Sequence, residues 1–155
     1  MNMKKTSILT SFIIVFLFLG ISPTRLQSSN TLNNKAQNFN NERNENKLVI
    51  VWSSDDPMVA ERVALMYPHA AQRNQWFDEI TLVIWGPSAN LIADNVKLQN
   101  KLEQMKRDGI IIKACLACAN EYGVTEKLKE LGYDVILMGV PLTTYLKEGY
   151  KVLTF

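Results

Sequence analysis

A chain of 155 residues has room for one folded domain. Its formal charge of +2 is unevenly spread: from Lys47 onward there are 12 Lys and Arg against 13 Asp and Glu, and the basic excess lies before that point. The domain therefore shows no basic stripe of the kind that nucleic acid requires, and an ordinary solvated surface is expected.

The first segment reads as an address and not as fold. Lys4 and Lys5 precede the apolar run Ile8 to Leu19, the basic start and apolar core of a secretory signal peptide. A membrane-spanning helix needs about 20 apolar residues, and this run falls short. No small-x-small cleavage site stands out, so an uncleaved membrane anchor is the alternative. With no cysteine near residue 20, lipid attachment of the bacterial lipoprotein kind is excluded. We assign 1–21 as leader and expect an exported, periplasmic protein. Residues 22–46, rich in Asn, Ser and Gln, have too few aliphatic side chains to offset chain entropy and are expected to form a disordered linker. The domain is then 47–155.

Lys47 to Trp52 is a short β-branched run, a buried strand by pattern. Asp56 followed by Pro57 predicts a helix N-cap with proline at the first helical position. Val59, Val63 and Met66 then share an apolar face, and Pro68 is expected to kink or end the helix. Glu79 to Trp85 is the second strand, closed by Gly86-Pro87-Ser88. Ser88 is predicted to cap one long helix to Asp108, with Leu91, Ile92, Val96, Leu102 and Met105 facing inward. Gly109 supplies the left-handed turn that ends it. A third strand, Ile110 to Ala114, runs into the two cysteines and a brief helix. Thr125 is expected to cap a helix from Glu126 to Leu131, ended by Gly132. Tyr133 to Met138 is the fourth strand, Gly139-Val140-Pro141 a turn, Leu142 to Lys147 a helix, and Tyr150 to Phe155 the last strand.

Strand, helix, glycine and strand in repetition signal βαβ units and a mostly parallel sheet. Right-handed crossovers gather the loops after the strands on one edge, where ligands collect in such folds. Those loops hold Ser53, Ser54 and Asp55; Trp85, Gly86 and Ser88; Cys115 and Cys118; and Gly139 and Pro141. Each has a plain structural reading beside the functional one. Ser53, Ser54 and Asp55 can bind a polar ligand or simply cap a helix. Gly86 to Ser88 offers backbone donors at a helix start, though the structural role is preferred. Trp52 and Trp85 can wall a pocket or pack the core. Asp94 and Glu121 show no pairing that suits acid–base work.

Cys115 and Cys118 are three apart, a spacing that puts Cβ atoms about 5–6 Å apart on a helix. A thiol at a helix start ionises more readily. A structural disulfide suits an exported chain but restrains so short a loop by only about 2 kcal/mol. A zinc site lacks ligands, because the only histidine, His69, reads as a surface residue beside Pro68; no metal or cofactor is expected. A redox dithiol, a persulfide-carrying nucleophile with a resolving partner, and a pair of small buried apolar side chains all remain open on the residues alone.

The order and spacing of Ile111-Ile112-Lys113-Ala114-Cys115, Tyr122-Gly123-Val124, Leu131-Gly132 and Leu146 to Phe155 resemble the DsrE family of sulfur-relay proteins. The resemblance runs over essentially all of Lys47 to Phe155. It implies a three-layer α/β/α domain with a five-stranded parallel sheet, assembled as homo- or hetero-oligomers with the active cysteine near a subunit boundary. It further implies that Cys115, after the third strand, accepts sulfur as a persulfide from a donor protein and passes it to an acceptor. Cys118 departs from the one-cysteine pattern and implies a resolving or redox partner. The export signal is a second departure, because the relay partners of those members work in the cytoplasm. The leading expectation is therefore a sulfur carrier or sulfurtransferase-like protein using Cys115 with Cys118. A non-catalytic ligand-binding or assembly module stands second and a dithiol redox protein third.

Overall fold

The computed structural model describes residues 31–38 and 46–155. The expected leader lies outside the described residues. Of the expected linker, 31–38 is described as a two-turn helix, α1, exposed along its whole length.

Five strands form one parallel sheet: β1 (Lys47–Trp52), β2 (Glu79–Ile84), β3 (Ile111–Cys115), β4 (Asp134–Ile136) and β5 (Lys151–Thr154), in the order β4-β3-β2-β1-β5. The β1 and β2 runs are apolar on both faces because helices cover both sides of an all-parallel sheet. Leu48, Ile50, Trp52, Ile80, Leu82 and Ile84 point to one face and are fully or almost fully buried. Val49, Val51 and Val83 point to the other.

The chain steps from β1 to β4 in one direction, then crosses back to place β5 beyond β1. Right-handed crossovers consequently put the first helices on one face and the last on the opposite face. The first layer holds α2 (Pro57–Val59), a π-helical turn (Ala60–Ala64), α3 (Met66–Arg73), α4 (Ser88–Asp94), α5 (Val96–Arg107), α6 (Leu116–Glu121) and α7 (Thr125–Glu130). Buried residues from Ala60 to Leu128 on these elements share one core with the first sheet face. The second layer is α8 (Gly139–Lys147) alone, resting Leu142 and Tyr145 on Val49, Val51 and Val83. The three-layer α/β/α architecture and the five-stranded parallel sheet are as expected.

Asp56 caps α2, its Oδ1 accepting from the Met58 and Val59 amides at 2.7 and 3.2 Å, with Pro57 first in the helix. Several helix details differ from the sequence reading. The inward residues after α2 are Ala60, Ala64 and Leu65, whereas Val63 and Met66 are exposed. The Leu65 amide bonds to Ala60 O at 3.0 Å, closing a wide π turn. That extra residue shifts the helical phase, so a 3.6-residue period no longer predicts the face. The helical run begun at Pro57 is interrupted at Leu65, φ −102°, three residues before Pro68, and α3 then continues past Pro68 to Arg73, the missing donor falling in a first turn that needs none.

The predicted long helix is two. Asn95 leaves the helix at φ −95° and ψ 91°, and its Oδ1 caps α5 by accepting from the Leu98 amide at 3.1 Å. The break rotates Val96 outward. Ser88 begins α4 without capping it. Thr125 likewise starts α7 with its hydroxyl on Asn120 Oδ1 at 2.6 Å. Gly109 ends the stretch after α5 at φ +100°, as expected of a glycine there. Among the described residues no helix is long and apolar enough to cross a membrane.

Candidate functional site

β3 passes into α6 with no intervening loop. Cys115 ends the strand at φ −74° and ψ 112° and serves as the N-cap residue of α6. Its side chain alternates onto the second sheet face, where it packs with Val51, Val83 and Met138 and is 3% exposed. Cys115 Sγ accepts from the Cys118 amide at 3.5 Å, so the positive end of a short helix dipole faces the sulfur. Cys118 lies one turn further on, half-buried against both cores. Both thiols are free.

Cys118, one turn into α6, is held toward its protonated form. Burial pushes the Cys118 thiol above its ordinary 9.0, with the neighbouring Cys115 sulfur adding to the rise and the Gly86 backbone N–H opposing it. Desolvation of the thiolate outweighs the donors there. The Gly86 contact is nevertheless informative about geometry. Gly86 sits at φ +64°, a left-handed conformation that favours glycine, and from there its N–H reaches the Cys118 sulfur. Trp85, one residue earlier, packs half-buried in the same cluster as both cysteines.

The other predicted residues are engaged elsewhere. Ser53 donates from its backbone N–H and its hydroxyl to Phe155 O, at 2.7 and 2.9 Å, tying the chain end to β1. Ser54 Oγ accepts from the Asp56 amide at 3.1 Å, a capping turn. Asp55 is exposed. Ser88 is completely buried; its hydroxyl lies 2.6 Å from Trp52 O, 3.0 Å from Trp85 O and 3.0 Å from the Trp85 N–H. It locks the ends of β1 and β2 together. Gly139 and Pro141 are the first turn of α8 and not a loop, and the residue of that connection that joins the buried cluster of Cys115 is Met138. Trp52 is a core residue.

Three residues of this face escaped the sequence reading. Lys113 stands one pleat repeat before Cys115 on the same face, and its Nζ is 2.6 Å from Asp134 Oδ2. That hydrogen bond holds the ammonium above its usual 10.5, so the cation persists through neutral pH. Tyr145 from α8 covers the same face; burial raises its phenol, with a hydrogen bond to buried Thr81 acting against the rise. Strict alternation along β3 already places Lys113 and Cys115 together. Tyr145 and Thr81 carry no such sequence signal.

The DsrE/DsrF-like family matches residues 45–155. A conserved protein of unknown function, BT1422 from Bacteroides thetaiotaomicron, is 34% identical. The alignment covers 71% of this chain and 95% of that one, with a TM-score of 0.68. The YchN protein of E. coli shares the fold at a TM-score of 0.56 and 19% identity, over 70% of this chain and 98% of that one. No curated protein matches. The family match takes in every strand of the sheet together with the β3–α6 junction that carries both thiols, and on that ground the chain belongs to the DsrE/DsrF-like family.

Proposed function

We propose that the domain is a sulfur carrier in which Cys115 holds sulfane sulfur and Cys118 is the partner thiol. The observation that carries this reading is the contact of two free thiols at the carboxyl end of β3, one at a helix start and the other beneath a backbone donor. The Cys115 thiolate attacks the terminal sulfur of a donor persulfide. A Cys115 sulfur–sulfur bond forms, the donor's own sulfur–sulfur bond breaks, and the donor leaves as a thiolate. The terminal sulfur of the new persulfide carries negative charge. The Cys118 and Gly86 amides and the Lys113 ammonium are the polar groups of this face that suit it.

Cys118 resolves the persulfide when no acceptor protein takes it. Its thiolate attacks Cys115 Sγ, forming the Cys115–Cys118 disulfide and releasing hydrosulfide. Both thiols are oxidised by two electrons together, and the transferred sulfur is reduced by the same two. The elevated thiol pKa of Cys118 slows this step and lengthens the life of the carried sulfur.

The second reading is a non-catalytic binding or assembly module, and the near-complete burial of Cys115 favours it. Cyanide distinguishes the two, because it removes sulfane sulfur as thiocyanate and leaves ordinary thiols unchanged. After polysulfide treatment and desalting, Cys118→Ser, which cannot resolve the persulfide, is expected to release stoichiometric thiocyanate and Cys115→Ser almost none. Equal release from both, or none from either, contradicts the carrier reading.

A further inference from the structure

On the sheet face opposite Cys115, α3 and α5 flank a cavity of about 590 Å³, within the size range of small-molecule sites. Its charge is lopsided. The wall contributed by α3 and the turn before it brings Arg62 and Arg73, and the α5 wall brings Lys97 and Lys101. Four of the domain's 12 cations thus surround one cavity in a domain whose overall charge is slightly negative. They escaped notice as a basic stripe because they come from two separate helices. Like charges facing each other across a groove are destabilising unless something neutralises them.

The internal neutralisation is incomplete. Glu61 pairs with Lys97 at 2.6 Å and its charge also reaches Arg62 and Lys101, while that of Asp108 reaches Arg73, so two carboxylates face four cations. Among the described residues, Arg62 and Arg73 form no ion pair within 4.0 Å. Lys101 is half-buried, and it hydrogen-bonds not to a carboxylate but to His69 Nδ1, at 2.5 Å. An ammonium can only donate, so Nδ1 must accept and the ring proton sits on Nε2. Nε2 in turn donates to Asp108 Oδ2 at 2.6 Å. This chain fixes the imidazole, itself 4% exposed, and aims it at Lys101. The ammonium keeps two further donors for a ligand. Beside these charges, Met66, Ala70 and Leu98 give the cavity an apolar part.

We propose that this cavity binds a small organic molecule through a phosphate-like dianion, with Arg73 and Lys101 holding the anion and Met66 and Leu98 taking the organic part. Arg62 adds to the field at the rim. His69 and Asp108 are positioning residues that hold the Lys101 head group in place.

The test is equilibrium dialysis of the full chain against adenosine monophosphate and, separately, inorganic phosphate, with chloride holding ionic strength constant. The expected result is saturable, stoichiometric binding of adenosine monophosphate, with phosphate competing more weakly for the same site. Arg73→Ala and Lys101→Met should each weaken binding about tenfold or more, the usual scale for loss of a charge-assisted contact. Arg73 is exposed, so its replacement leaves the fold intact even if Lys101→Met does not. Cys115→Ser should bind normally, which separates this site from the thiol chemistry. Phosphate binding as tightly as the nucleotide would overturn the assignment to an organic molecule in favour of the free anion. No saturable binding of either probe, or unchanged affinity in Arg73→Ala, would overturn the site.

Discussion

At the residue level, the two cysteines share a turn and differ in environment. Cys115 faces a short helix start from inside the core, while Cys118 is more accessible yet pushed toward its protonated form by desolvation. A thiol whose pKa is raised is reactive only when the pH rises far enough to ionise it. In Cys115→Ser, burial remains the largest cause of the Cys118 shift, so iodoacetamide should alkylate Cys118 slowly at neutral pH. The rate should climb about tenfold per pH unit and level off only above pH 9.0. A plateau at or below neutrality would show that the donors outweigh burial. The cysteines, Gly86 and Trp85 were legible because a C-x-x-C after a strand and a Gly-Pro after a strand are local signals. His69 was not. Its burial depends on Asp108, 39 positions away, and Lys101, 32 away, and no local pattern announces a partner at such a distance.

Among the elements, α8 is the odd one. It covers the second sheet face alone, has no buried residue of its own, and leaves Val140 and Leu146 at 77% and 59% exposed, with Leu137 just before it at 66%. Exposed apolar side chains on one element are a feature of association surfaces, and we propose self-association of the chain through α8 as a prediction to be tested. Leu146→Glu would bury a charge in that contact and should weaken association about tenfold or more, read by sedimentation velocity. A wild-type chain that stays monomeric at micromolar concentration, or assembly unchanged by the substitution, would refute it. Strands were easier to read than helices. β1 and β2 are continuous apolar runs whose limits follow from composition. The π turn after Ala60 and the break at Asn95 each add or remove part of a turn, and side-chain periodicity cannot register that shift until the packing is known.

For the molecule as a whole, strand order decides which residues meet. Placing β5 beyond β1 sends α8 to the second face, and Met138, Leu142 and Tyr145 then join the apolar cluster that holds Cys115. The sequence pattern supported parallel βαβ units but held no information on where the fifth strand joins. That is why Gly139 and Pro141 read as pocket loops when the residue buried in the Cys115 cluster is Met138. The same layering separates two sites. Cys115 packs on one face, and the cationic cavity between α3 and α5 lies on the other.

The measurement that tests the central claim most directly is intact mass spectrometry of the polysulfide-treated chain beside Cys115→Ser and Cys118→Ser. The account predicts one added sulfur on Cys118→Ser that persists, and none on Cys115→Ser. The wild type should pass from the same added sulfur to a species lighter by two hydrogens as the disulfide forms. Sulfur retained on Cys115→Ser, or no mass change in any of the three, would contradict it.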